Sequence, residues 1–198
     1  MLYVTKDLNQ AAEVLLDPNT LSDDGTVALG EHAISPNGKY LAYSVSKSGS
    51  DWREWHVRDI ATKQDLDDHI QWSKFSGASW AKDSSGFYYS AYDAPKEGEA
   101  LSGVNYYQKL YFHKLGTPQS ADQLVYERPD HKEWGFAGQV SDDGKFLLIS
   151  VWQGTDSRNR FYIKPLSGDT QKVLPVIDAL EASYGYITND GDTFYFHT

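Results

Sequence analysis

An all-β fold, arranged as a partial β-propeller of about four four-stranded antiparallel blade equivalents, is what this sequence predicts. Three observations predict it. A small polar turn ending in glycine, followed by an aromatic-rich apolar run, recurs along the chain, as in Ser35-Pro36-Asn37-Gly38 before Lys39-Tyr40-Leu41-Ala42-Tyr43. The glycines of its copies, Gly38, Gly86, Gly144 and Gly191, stand 48, 58 and 47 residues apart, and a four-stranded blade takes roughly 45 residues. Aromatic side chains reach 14% of the 198 residues, and these, with β-branched ones, suit a pleated sheet better than a helix.

The elements follow in order. Residues 1–30 read as an outer half-blade and linker, with short strands at 2–5 and 13–16. Residues 31–76 make the first blade, with strands at 31–35, 40–45 and 55–59 and a short polar one at 64–66. Residues 77–135 make the second, with strands at 77–80, 87–91, 109–114 and 123–126, and a loop insertion at 91–108 that carries its extra length. Residues 136–183 make the third, with strands at 136–140, 146–151, 160–165 and 171–174, then one or two helical turns within 176–183. Residues 184–198 read as an inner half-blade, with strands at 184–187 and 193–197. Asn-Gly and Asp-Gly favour tight hairpins because both residues tolerate positive φ. In the 109–114 strand, Leu110 and Phe112 alternate with Tyr111 and His113, as expected of an outer strand with one wetter face.

Charge and residue types narrow the function. Against 28 acidic residues stand 18 basic ones, a formal net charge of −10, which repels phosphate backbones and anionic lipid. Neither nucleic acid nor membrane is an expected partner. No apolar run approaches the ~20 residues that cross a bilayer, and the opening residues lack the basic and apolar regions of a signal peptide. Cysteine is absent, so no disulfide or thiolate site forms; a cytoplasmic location is expected, and a periplasmic one is compatible.

No cofactor or metal is expected. His32, His56, His69, His113, His131 and His197 show no metal-ligand spacing and read as packing or surface residues. Asp65, Asp67 and Asp68 lack the glycine and closing glutamate of a calcium loop and read as a solvated turn. Glu133 beside His131 reads as part of a solvated loop. Trp52, Trp55, Trp72, Trp80, Trp134 and Trp152 read as wedge packing between sheets more readily than as a binding platform. Ser141-Asp142-Asp143-Gly144 is one residue short of a sialidase aspartate box and lacks its closing Trp. No catalytic residue is assigned: Gly77-Ala78-Ser79-Trp80-Ala81 comes nearest to a Gly-x-Ser-x-Gly elbow and lacks its second glycine. The chain alone is expected to be inactive.

Several segments, in order, resemble the propeller of the prolyl oligopeptidase family. They include Leu15-Leu16-Asp17-Pro18-Asn19, Lys74-Phe75-Ser76-Gly77-Ala78-Ser79-Trp80, Asn105-Tyr106-Tyr107-Gln108-Lys109-Leu110-Tyr111, Leu115-Gly116-Thr117-Pro118-Gln119-Ser120 and Gly154-Thr155-Asp156-Ser157-Arg158-Asn159-Arg160. The resemblance implies a seven-bladed propeller that caps an α/β-hydrolase domain of the same parent chain. That parent is a serine peptidase cleaving short proline-containing peptides on the carboxyl side of proline, with the propeller gating the cleft and lending it side chains. Phe75 matches a family residue that faces substrate. Gly135 stands where some relatives place Met, Trp152 where some carry a cleft Arg, and Thr155 where some carry Cys.

Two other readings compete with this non-catalytic gating role. A free-standing propeller-like module binding peptides or proteins would retain ligand on its own. A sialidase- or lactonase-like enzyme would need carboxylates, Arg or metal ligands converging on inner strands, and the inner strands supply few. Unpaired blade edges also lead to an expectation of self-association, with strands 2–5 and 13–16 completing the sheet begun by 184–197, within one chain or across a dimer.

Overall fold

Alternating apolar strands broken by five-residue polar turns leave the chain little choice but to pleat. The computed structural model describes residues 1–96, 98, 104–169 and 171–198, so part of the 91–108 insertion lies outside the described residues. Its strands are β1 (Leu2–Val4), β2 (Glu13–Leu16), β3 (Val27–Ile34), β4 (Tyr40–Lys47), β5 (Arg53–Asp59), β6 (Asp65–Ser73), β7 (Ser79–Trp80) and β8 (Gly86–Ala91). They continue as β9 (Lys109–Lys114), β10 (Gln123–Tyr126), β11 (Trp134–Val140), β12 (Phe146–Gln153), β13 (Arg160–Pro165), β14 (Leu174–Ile177), β15 (Gly185–Asp190) and β16 (Thr193–His197). The fold is all-β.

Every pairing is antiparallel, and all but the one between β6 and β8 join strands consecutive in the chain. β1 pairs with β2, β3 through β6 form a four-stranded run, β7 through β10 another, β11 through β14 a third, and β15 pairs with β16. The second and third groups are stitched together by one pair, Ser73 opposite Ala91, where the Ser73 hydroxyl donates to Ser90 O at 2.8 Å and accepts from Trp55 Nε1 at 3.0 Å. Within one chain, the first and last two-stranded sheets stay separate.

The period of two distributes each central strand between two cores. Leu41, Tyr43 and Val45 of β4 pack with Leu15 and Leu16, while Ala42 turns to Trp55, Val57, Trp80 and Phe87. Phe87 and Tyr89 of β8 join that second core, and Tyr88 between them joins a third with Leu110, Phe136, Leu147 and Ile149. Leu148 of β12 faces a fourth, with Phe161, Ile163, Phe194 and Phe196. Successive sheets thus pack face to face with an apolar layer between each neighbouring pair. Burying Leu, Ile or Phe stabilises by about 1.5–3 kcal/mol each, so these layers hold the array together.

The turns carry their own chemistry. In the first, Ser35 Oγ accepts from Tyr40 N–H at 2.9 Å and Asn37 Oδ1 accepts from Lys39 N–H at 3.0 Å. Ser141 and Asp143 repeat this towards Phe146 and Lys145, at 3.0 and 3.1 Å. Gly38 and Gly144 hold the left-handed position, with φ of 70° and 74°. In the second turn that position belongs to Ser84, φ 62°, and not to Gly86. Gly86 begins β8 because a Cβ there would meet His113 O at 2.0 Å. The sequence repeat is therefore out of step by two residues at that copy.

These turns are latched to one another along one rim. Ser84 Oγ accepts from Asn37 N–H at 3.1 Å, and Lys82 Nζ donates to Asp142 O at 2.7 Å. Thr188 Oγ1 then donates to Asp142 Oδ2 at 2.9 Å, and Asn189 Nδ2 to Asp143 Oδ2 at 3.1 Å.

Four local expectations fail, the first being the strand at 171–174, which runs instead from Leu174 to Ile177. No helix occupies 176–183; Pro175, Val176 and Ile177 belong to β14 on the edge of its sheet, where proline's missing donor is tolerated. The acidic run at 65–68 is not a solvated turn but the start of the nine-residue β6, and Asp68 is buried. His113 does not face water either. It is fully buried between Asp68 and Asp122, at 2.9 and 2.7 Å, because the preceding strands cover its face of β9 while the following sheet covers the face of Leu110 and Phe112. No helix among the described residues is long and apolar enough to cross a membrane.

Candidate functional site

Antiparallel order places the connections β4–β5, β6–β7, β8–β9, β10–β11 and β12–β13 on the rim opposite the latched turns. The residues singled out from the sequence belong to that rim. Phe75 lies between β6 and β7, is 59% exposed and has φ of 55°. Trp72 (φ 61°) and Tyr107 (φ 61°) share this left-handed conformation, which costs a non-glycine residue of order 1 kcal/mol or more and persists where surroundings enforce it. Of these three strained aromatics, Phe75 and Tyr107 are exposed and Trp72 is half-buried. Lys74 Nζ stands over Trp52 at 4.8 Å and over Phe75 at 5.6 Å, and Trp52 meets Trp72 and Tyr92 edge-on at 5.6 and 6.0 Å.

Gly135 and Trp152 face each other across β11 and β12. A Cβ on Gly135 would stand 2.2 Å from Trp152 Cε2 and 2.5 Å from its Nε1, so the indole occupies the space that a side chain at 135 would fill. Thr155 is exposed in the loop after β12, three residues past Trp152. Next to it Asp156 is held down to about 2 by hydrogen bonds from the Arg158 side chain and N–H, so this loop keeps a carboxylate at any physiological pH.

Gln108 links the Phe75 loop to the strand that carries Gly135. Gln108 is buried; its Nε2 donates to Lys74 O at 2.8 Å and its Oε1 accepts from Phe136 N–H at 2.6 Å. One amide thus ties the Phe75 loop to the start of β11. Nearby, Tyr107 N–H donates to Lys132 O at 2.8 Å, and Lys132 Nζ lies 4.5 Å above the Tyr106 ring.

The tryptophans divide by position. Trp55, Trp80 and Trp134 are buried and pack between sheets, whereas Trp52, Trp72 and Trp152 are half-buried on the rim. Trp134 is framed by cations, Arg128 at 4.5 Å and Arg160 at 4.3 Å, with His131 stacked at 3.9 Å. The buried Arg160 Nη1 has no hydrogen-bond partner among the described residues. Ser79, centre of the elbow-like pentapeptide, spends its hydroxyl accepting from Val140 N–H at 2.9 Å, a bond between neighbouring sheets. The rim offers aromatic faces, cations and fixed backbone groups, which suit holding an extended apolar peptide.

Comparison with known proteins identifies the family of the fold. A family model described as the prolyl oligopeptidase N-terminal β-propeller domain matches residues 1–198. A prolyl endopeptidase of Elizabethkingia miricola is 41% identical over 193 residues, covering 98% of this chain and 27% of that protein. A solved structure from a study of two prolyl endopeptidases and the role of their inter-domain dynamics in catalysis and specificity superposes with TM-score 0.85 at 34% identity, over 96% of this chain and 26% of that one. Prolyl oligopeptidase B from Galerina marginata, bound to a 35mer hydrolysis and macrocyclization substrate, superposes with TM-score 0.88 at 29% identity, over 98% of this chain and 30% of that one. The chain thus spans between a quarter and a third of the length of these relatives.

Proposed function

The chain belongs to the prolyl oligopeptidase N-terminal β-propeller family, and on that premise we propose that it is the part of a peptidase propeller that gates a peptide cleft and lends it side chains. The reacting serine, histidine and aspartate belong, in this reading, to an α/β-hydrolase domain of the same parent chain, and short proline-containing peptides are the substrates. Phe75 supplies an apolar face to the substrate, held in place from behind by Lys74 and Gln108. Gly135 and Trp152 form one further wall, with the indole replacing a longer side chain at 135, and Thr155 edges the opening. The observation that carries this reading is the exposed Phe75 ring on a strained backbone fixed by a buried amide, an arrangement that folding alone does not favour. The inter-domain dynamics named for the solved prolyl endopeptidase support a gating role.

The test joins this chain to its hydrolase domain and replaces Phe75 with Ala. KM for a short proline peptide rises about fivefold or more while thermal stability holds, because an exposed ring contributes little to the core. Unchanged kinetics would remove Phe75 from the cleft, and proline-peptide turnover by the 198 residues alone would end the non-catalytic reading.

A further inference from the structure

We propose that the sheet β4–β5–β6 carries a site for a divalent transition-metal ion of the zinc class, ligated by His56, His69 and Glu54. The site comes from register, not from spacing along the chain. His56 and His69 are directly opposite each other across β5 and β6, so their side chains share one face. Glu54 precedes His56 by two residues and therefore joins that face. One ligand atom from each of the three lies within 4.8 Å of the others.

The donors lie close together, short of ligating geometry. His69 Nε2 and Glu54 Oε2 are 2.8 Å apart, and the two imidazoles stack at 4.8 Å with an 11° tilt. The His56 ring is held from its other side by Tyr43, at 5.5 Å. A tetrahedral zinc site with bonds of ~2.0–2.1 Å needs donor atoms ~3.3 Å apart. Rotation of His69, exposed over 43% of its side chain, closes the remaining gap. Glu54 divides its oxygens, Oε1 accepting from Lys47 Nζ at 2.7 Å and Oε2 facing His69. The metal therefore enters on the Oε2 side, in place of the proton shared with His69, while Lys47 keeps Oε1.

Two imidazoles and one carboxylate are a zinc-type donor set that leaves a fourth position for water. Such a set favours zinc, nickel and copper over the hard cations magnesium and calcium. An open cavity of about 360 Å³, whose lining includes Tyr43, Lys47, Glu54, His56, Asp65 and His69, has room for the ion and its water. Bound metal would clamp β5 to β6 on a face distinct from the aromatic rim.

Zinc alone is the probe, titrated into the protein by calorimetry with the histidine ring resonances followed by NMR. One equivalent is expected to bind, with the His56 and His69 resonances shifting together. His56→Ala and His69→Ala should each weaken binding about tenfold or more, with circular dichroism verifying that both variants fold. Lys47→Met should strengthen binding several-fold, since it removes a repelling cation and frees Oε1. Magnesium in place of zinc should give no heat. Absence of binding at millimolar zinc would overturn the site, as would zinc binding that survives the double His56→Ala, His69→Ala change or weakens in Lys47→Met.

Discussion

Trp152 lies flat across Gly135, its indole atoms 2.2–2.5 Å from where a Cβ on that glycine would stand. The two positions act as one: side-chain volume on β11 excludes the ring on β12. Gly135→Ala should therefore expel the half-buried indole, shift tryptophan emission to longer wavelength, and destabilise by about 1–3 kcal/mol. In a Trp152→Ala background the same change should cost almost nothing. Additive effects in that double-mutant cycle would show that the two residues are independent.

Gln108 predicts a second outcome. Replacing it with Ala leaves Phe136 N–H and Lys74 C=O without the partners they now have, at about 1–3 kcal/mol for each buried orphan. Urea unfolding should lose about 3 kcal/mol, and hydrogen exchange at the Phe136 amide should accelerate. An unchanged exchange rate would mean that the bridge holds nothing in place.

His113 gives the fold a pH dependence. Burial alone would lower its pKa, but hydrogen bonds with Asp122 and Asp68 outweigh that and carry it from 6.5 up to about 9. A histidine whose folded pKa exceeds its unfolded one contributes fully below the unfolded value and loses that contribution as pH rises through the folded one. Stability should thus fall between about pH 6.5 and pH 9, by roughly 3 kcal/mol. Burial raises the Asp68 carboxyl, yet the bonds from His113 and Gly116 N–H leave it below its ordinary 3.8, so stability is also lost as pH falls below 3.8. Urea titrations from acid to alkaline pH check both limbs, and His113→Leu should flatten the alkaline one.

Gly86 and Gly38 should behave differently despite occupying the same slot in the sequence repeat. At Gly86 a Cβ meets the His113 carbonyl, which cannot move aside, whereas at Gly38 nothing lies within 4 Å. Gly86→Ala should cost about 3 kcal/mol or more, and Gly38→Ala about 1 kcal/mol for its left-handed backbone. Thermal melts of the two variants should separate clearly; equal melting temperatures would refute the assignment of different roles.

That pair also marks where the sequence was legible. Strands Lys109–Lys114, Gln123–Tyr126, Arg160–Pro165 and Thr193–His197 lie where alternation and turn residues put them, because both signals act over a few neighbours. The second turn misled because Ser84 takes on a conformation usually left to glycine, with a real glycine two residues on. β6 was read as a short polar strand in an acidic turn because Asp65 and Asp68 look solvent-bound, yet Arg58 and His113 neutralise them from other strands. The same limit hid Gln108 and the His56–His69 pair: both depend on chain segments that only the folded register brings together. Of the rim, Phe75, Gly135, Trp152 and Thr155 were named by resemblance, and their positions were not deducible from local pattern.

The latched turns decide where this architecture tolerates new length. Between β3 and β4, β7 and β8, and β11 and β12 the turns all hold five residues, and each shares bonds with its neighbour. An insertion at any of them would unzip the seam on either side. On the other rim the links run from five residues between β6 and β7 to seventeen between β8 and β9. Tags, epitopes or grafted loops therefore belong between β8 and β9, where the chain already departs from its own period.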